Sequence, residues 1–268
     1  MNRISQKFNE LKAQNKKAFT AFVTAGDPDY QTSLQIVKSL PKNGVDIIEI
    51  GIPFLDPAGD GPTIEAAGKR AVVGGMNLHK TLEMVKEFRK ENSQTPIVLM
   101  GYYNPVLHYG NNKFCADAKA AGVDGILIVD LPPEEDKELR EFAVKNDLGF
   151  IKLVALTSNE DRVKIISKNA SGFLYLVSIL GITGTKSADL NEIQNHLKII
   201  KKISDLPIMV GFGIKDQKQA LEFYKTDVDG IVVGSALVKV IEEALDQKVD
   251  YKLIPDLVTR KAKELSGS

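Results

Sequence analysis

The chain has 268 residues, 43% hydrophobic and 26% charged, a balance ordinary for a soluble globular protein. Its 35 Lys and Arg offset 35 Asp and Glu, which argues against a nucleic-acid binder but leaves phosphate binding by backbone N–H groups open. A single cysteine, Cys115, excludes an internal disulfide and a cysteine-cluster metal site, and His79, His108 and His196 stand in no ligand spacing.

Met1 to Lys17 lacks a long apolar run, so no signal peptide is expected. No stretch approaches the ~18 apolar residues of a membrane helix, and the expected location is the cytoplasm. Ile4, Phe8 and Leu11 form an i, i+4, i+7 stripe that predicts a helix before the first strand. Eight short apolar runs follow at even spacing: Ala18–Val23, Val45–Ile50, Ile97–Gly101, Gly125–Val129, Gly149–Val154, Phe173–Ser178, Ile208–Val210 and Gly230–Val233. They are apolar on both parities, as strands covered on both faces are. Helical spacing lies between them, at Leu34, Val37 and Leu40, at Leu78, Leu82, Val85 and Phe88, and at Ile199, Ile200 and Ile203. Leu253, Leu257 and Leu265 mark a last outer helix.

Several strands are entered by the same small theme. Gly44-Val45-Asp46, Gly122-Val123-Asp124 and Asp227-Val228-Asp229 precede the second, fourth and eighth runs, while Pro96 and Pro207 precede the third and seventh. Gly after a helix suits a left-handed cap, and Pro at a strand's first residue costs no ladder bond. Eight strand–helix units in this length predict one (β/α)₈ TIM barrel, residues 1–268 as a single domain, with the extra N-terminal helix at the bottom. An open doubly wound sheet is the alternative, and the even spacing favours the barrel.

In such a barrel the chemistry follows the strands. Strand parity puts Glu49 on one face with Val45, Ile47 and Gly51. An inward carboxyl there is desolvated, its pKa raised, and it suits general acid–base work; an ion-paired structural Glu is the other reading. The next loop holds Asp56 and Asp60 among three prolines and two glycines, with Asp56 read as a turn or cap residue. Asp60, between Gly59 and Gly61, can approach a ligand closely. Gly211-Phe212-Gly213 and Gly234-Ser235 follow the seventh and eighth strands, where backbone N–H groups and a helix N-terminus hold phosphate, with Ser235 as the helix cap. The Gly/Thr loop after the sixth strand, through Thr183 and Gly184, is a candidate lid. Asp60 and Thr183 both lie off the strands, so the isolated chain is expected to sample a misplaced Asp60.

Phe22-Val23-Thr24-Ala25-Gly26-Asp27-Pro28, Glu49-Ile50-Gly51-Ile52-Pro53-Phe54, Asp56-Pro57, Asp60-Gly61-Pro62, Gly101-Tyr102-Tyr103-Asn104-Pro105, Gly181-Ile182-Thr183-Gly184 and Gly211-Phe212-Gly213-Ile214 together resemble the tryptophan synthase α subunit family, in order along essentially the whole chain. The resemblance implies a barrel lyase that cleaves indole-3-glycerol phosphate to indole and glyceraldehyde 3-phosphate in an α₂β₂ complex. Pyridoxal phosphate is then carried by the β subunit, with no cofactor or metal here. By motif, Glu49 matches the acid–base group and Asp60 the second carboxylate. Phe22, Tyr102, Tyr175 and Phe212 fall at the substrate pocket, Gly184, Gly213, Gly234 and Ser235 at the phosphate, and Thr183 at the lid residue that meets Asp60. Asp56, Tyr103, Asn104 and Pro105 fall in loops similar to those facing the β subunit. This chain departs from the pattern with Leu55 for Ser or Thr, Gly59 for Ala, Glu65 for Gln and Ile179 for a lid Arg. A non-catalytic activator of β and another phosphosugar barrel enzyme are the competing readings; the first would lack Glu49 or Asp60, the second the Pro-Phe-x-Asp-Pro-x-x-Asp-Gly-Pro loop.

Overall fold

The computed structural model describes residues 2–177, 190–211 and 213–267. Helix α1 (Arg3–Ala13) leads into β1 (Ala18–Thr24), α2 (Tyr30–Ser39) and β2 (Ile47–Gly51). Two helices, α3 (Pro62–Val73) and α4 (Leu78–Arg89), separate β2 from β3 (Ile97–Gly101). Then come α5 (Tyr103–Tyr109), α6 (Asn111–Ala121), β4 (Gly125–Ile128), α7 (Lys137–Lys145), β5 (Gly149–Ala155) and α8 (Glu160–Lys168). The second half continues with β6 (Leu174–Val177), α9 (Leu190–Ile203), β7 (Ile208–Gly211), α10 (Gln217–Tyr224), β8 (Gly230–Val233), α11 (Ser235–Asp246) and α12 (Ile254–Ser266).

All neighbouring strands are parallel, in sequence order, and β1 pairs with β8 through Ala18↔Gly230 and Ala21↔Val233. That closure removes the open-sheet alternative. The two strand parities feed two cores. Phe19, Ile48, Leu99, Ile126 and Val210 point outward onto the helices, while Ile47, Val98, Leu127, Ile151, Met209 and Val232 fill the barrel.

The predicted first helix closes the bottom. Asn2 caps it by accepting from the Ile4 N–H at 2.9 Å. Ile4 enters the barrel where strands begin with glycine: a Cβ on Gly125 or Gly149 would stand 2.9 or 3.3 Å from Ile4 Cδ1. Phe8 meets Phe173 edge-on at 6.0 Å.

The linker theme has a role that spacing alone did not disclose. Asp46, Asp124 and Asp229 each accept, through Oδ2, a backbone N–H from the strand before: Phe19 at 2.9 Å, Ile97 at 2.8 Å and Ile208 at 2.8 Å. Ser171 Oγ does the same for Phe150 N–H at 2.8 Å. Each odd strand thus has an N–H at the barrel's lower rim satisfied by the approach to the even strand after it. This is also why β2 begins at Ile47 rather than Val45, the residues before it being committed to the rim. Gly122 caps α6 at φ 95°, as predicted, and Gly44, at φ 84°, caps the short 3-10 turn Leu40–Asn43 that follows α2. Pro96 and Pro207 use only their carbonyls, accepting from Ile48 and Leu174.

Candidate active site

Glu49 is the middle residue of β2, beside Phe22 of β1 in register, and points into the barrel with Ile47. It is 1% exposed, and neither carboxyl oxygen has a hydrogen-bond partner. No cation pairs with it among the described residues, which give the ion-paired structural reading no support. Burial pushes its pKa up to about 8, which leaves it a neutral acid at pH 7. Tyr175, from β6 across the barrel, is buried, and the same desolvation together with the Glu49 carboxyl pushes its hydroxyl well above the ordinary range.

Missing side chains place these groups. The Phe22 ring lies between two glycines: a Cβ on Gly51 would be 2.6 Å from Phe22 Cζ, and one on Gly234 would be 3.1 Å from Phe22 Cδ1. A Cβ on Gly211 would come within 2.0 Å of Tyr175 Oη. Gly211, read in sequence as part of a phosphate turn, therefore makes room for Tyr175.

Asp60 is held more firmly than its loop position suggested. Tyr102, one residue past β3, donates from Oη to Asp60 Oδ1 at 3.0 Å and accepts the Gly59 N–H at 3.0 Å. The Phe54 ring packs against Tyr102 with centroids 5.6 Å apart. The isolated chain was expected to sample a misplaced Asp60; in the structure Tyr102, at the end of β3, holds its carboxylate. Burial raises the Asp60 pKa, the Tyr102 bond opposes that rise, and the Glu65 carboxylate adds to it. Glu65 itself pairs with Lys69 at 2.6 Å along α3. Phe22, Asp60 and Tyr102 line one cavity at the C-terminal mouth of the barrel with Ile64, Met100 and Val129. The sequence reading had missed the last three. Met100 carried a signal, since it shares inward parity with Val98 on β3.

Gly213 takes the left-handed conformation, φ 89°, that a side chain rarely adopts. Gly234, not Ser235, is the N-cap of α11, without a side-chain capping bond. Ser235 is therefore the first helical residue rather than the cap. Its hydroxyl is exposed and its N–H lies in the helix's first turn, where N–H groups have no intrahelical acceptor. Thr183, Gly184, Phe212 and Ile179 lie outside the described residues.

Leu55 and Asp56 are exposed on the loop after β2, Leu55 at 57%. Tyr103, Asn104 and Pro105 are not in a loop, which corrects the sequence reading. They form the first turn of α5, where Pro105 removes no helix hydrogen bond and the Tyr103 N–H is taken by Asp130 Oδ1 at 2.7 Å. Among the described residues no group of three or more His, Cys, Asp or Glu could hold a metal, and no helix is long and apolar enough to cross a membrane.

The sequence pattern of the family described as tryptophan synthase alpha chain matches residues 8–264. The tryptophan synthase alpha chain from Legionella pneumophila subsp. pneumophila is 37% identical, with a TM-score of 0.90 over 100% of this chain and 97% of that one. A structure of the tryptophan synthase a2b2 complex from the hyperthermophile Pyrococcus furiosus contains a chain 39% identical, with a TM-score of 0.84 over 94% of this chain and 98% of that one. The aminoacrylate-bound form of tryptophan synthase from M. tuberculosis matches at 30% identity and a TM-score of 0.86, over 99% of this chain and 98% of that one. With a closed eight-stranded barrel, an inward acid on β2 and a family pattern matching nearly the whole length, the chain belongs to the tryptophan synthase alpha chain family.

Proposed function

We propose that this chain, working as one barrel domain, cleaves indole-3-glycerol phosphate to indole and glyceraldehyde 3-phosphate, with Glu49 moving the protons and Asp60 holding the indole N–H. The observation that carries the reading is Glu49: an inward carboxyl on β2, without a hydrogen-bond partner and kept neutral by burial. The bond to be broken joins indole C3 to the hydroxyl-bearing first carbon of the glycerol arm. As a neutral acid, Glu49 delivers its proton to C3, so the ring nitrogen takes up positive charge. Ionised Asp60, with Tyr102 donating to it, stabilises that charge through the N–H. The Glu49 carboxylate then removes the hydroxyl proton. As the aldehyde forms, the electrons of the C–C bond return to the ring, releasing neutral indole and leaving Glu49 protonated as it began. A positioned proton-transfer group of this kind contributes about 10²–10⁴ in rate.

The substrate phosphate is assigned to the backbone N–H groups of Gly213, Gly234 and Ser235, with the Ser235 hydroxyl, at the start of α11. Ser235→Asp puts a like charge there and is expected to raise KM sharply. An unchanged KM would mean the phosphate binds elsewhere.

The chain is assigned to an α₂β₂ assembly, its β partner carrying the pyridoxal phosphate and this chain holding no cofactor. The support is the family and the assembly solved for the Pyrococcus furiosus relative. The cytoplasm suits such a chain, whose one cysteine is buried and free. The test is steady-state indole release from indole-3-glycerol phosphate by the purified chain, titrated with β. We expect a slow basal rate that rises to saturation, because a partner that prefers the closed site shifts its population. A rate flat through saturation would refute coupling, and no release under any condition would refute the lyase reading.

A further inference from the structure

One buried ion pair near the barrel mouth belongs neither to the rim nor to the catalytic pair. Asp27 follows β1, and its side chain is completely buried. Arg70, in α3, meets it with two prongs: Nε to Oδ1 at 2.8 Å and Nη2 to Oδ2 at 3.0 Å. Such a fork fixes direction as well as distance. The helix it grips roofs the cavity. Ile64 and Gly68 of α3 line it, and a Cβ on Gly68 would stand 3.3 Å from the Phe54 carbonyl oxygen, so the helix lies close over the loop. Asp60 is separated from α3 only by Gly61, the N-cap, so it moves with the helix start. Beyond α3 the chain returns to the same place: Met76 packs on Gly26, whose Cβ position is 2.7 Å from Met76 Cγ.

We infer that the Asp27–Arg70 pair is a positioning device for Asp60: by pinning α3 to the loop after β1, it sets the height and rotation of the helix whose leading end presents Asp60 to the indole N–H. Tyr102 holds the carboxylate from the β3 side, and Arg70 acts on it from the β1 side only through α3. The inference rests on the proposed role of Asp60.

The experiment is indole release by Arg70→Ala, Arg70→Lys, Asp60→Asn and the Arg70→Ala/Asp60→Asn double variant, with kcat, KM and melting temperature for each. Loss of alignment by a fraction of an ångström is expected to lower kcat of Arg70→Ala about tenfold, with KM within about threefold. Arg70→Lys keeps the charge without the fork and recovers part of the loss. In the Asp60→Asn background Arg70→Ala adds less than about twofold, because both changes act through one carboxylate. Equal kcat losses in both backgrounds, or a lowered melting temperature with parental kcat, would overturn the inference alone. Parental kcat in Asp60→Asn by itself would overturn the Asp60 reading and the inference with it. Should Arg70→Ala not fold, Asp27→Asn and Asp27→Asn/Asp60→Asn carry the same comparison, since Asn keeps the shape and removes one charge.

Discussion

Glu49→Gln is expected to lower kcat for indole release by about 10²–10⁴ while the chain stays folded, the range lost with a positioned proton-transfer group. Gln keeps the shape of the neutral acid but can neither give up nor regain a proton. The substitution carries a second, independent signature. The Glu49 pKa rises from an ordinary 4.5 to about 8 in the folded barrel. Between those values the native state binds more protons than the unfolded chain, so the Glu49 contribution to stability is present below about pH 4.5 and is lost as pH rises to about 8. Gln never ionises, so the variant should lose less stability across that window than the parent. Chemical denaturation at both ends of the window measures the difference. Near-parental turnover at saturating substrate would end the acid–base role, whatever the denaturation curves show.

The largest expected effect on folding lies at the opposite end of the barrel. Asp124 accepts from Arg89 at 2.7 Å, from Arg3 at 2.8 Å and from the Ile97 N–H at 2.8 Å, and its side chain is 4% exposed. Arg89 is buried enough that desolvation lowers its pKa to about 10 even beside this carboxylate. Asp124→Ala removes the anion, leaving the buried Arg89 guanidinium only the neutral carbonyls of Gly122, Asn92 and Thr95 and the Ile97 N–H without an acceptor. Breaking a buried pair from one side typically costs 3–5 kcal/mol, and a loss of about that size is expected in equilibrium unfolding. Arg3→Ala removes the more exposed arm and should cost far less, as solvent-screened pairs do. A loss below about 1 kcal/mol for Asp124→Ala would mean the rim is not held through this residue.

The barrel was legible because each unit writes its own local pattern. Doubly apolar runs gave the strands, and Gly44, Gly122, Pro96 and Pro207 marked where strands are entered. Glu49 was legible for a similar reason: parity on a short strand fixes its face, and a carboxyl on an apolar face has few roles. Contacts that leap along the chain were not legible. Asp46, Asp124 and Asp229 stood out as a repeated theme, but their acceptor role depends on strands 21 to 27 residues earlier in the sequence. Tyr102 reaches back 42 residues to Asp60, and Arg70 reaches back 43 to Asp27. No periodicity encodes either. The α5 start was misread because Tyr103, Asn104 and Pro105 were placed by resemblance to loops of the family, although Pro is at home in a helix's first turn, where an N–H would go unused.

The central claim is that Glu49 is a neutral acid at the pH where the chain works. Glutamate side chains labelled with ¹³C at the carboxyl carbon, titrated by NMR in the wild type and in Glu49→Gln, isolate the one resonance that the substitution removes. The account predicts that this resonance changes protonation with a midpoint near 8, far above the ordinary 4.5. A midpoint at the ordinary glutamate value would contradict it, because the carboxyl would then be ionised at neutral pH and have no proton to give to indole C3.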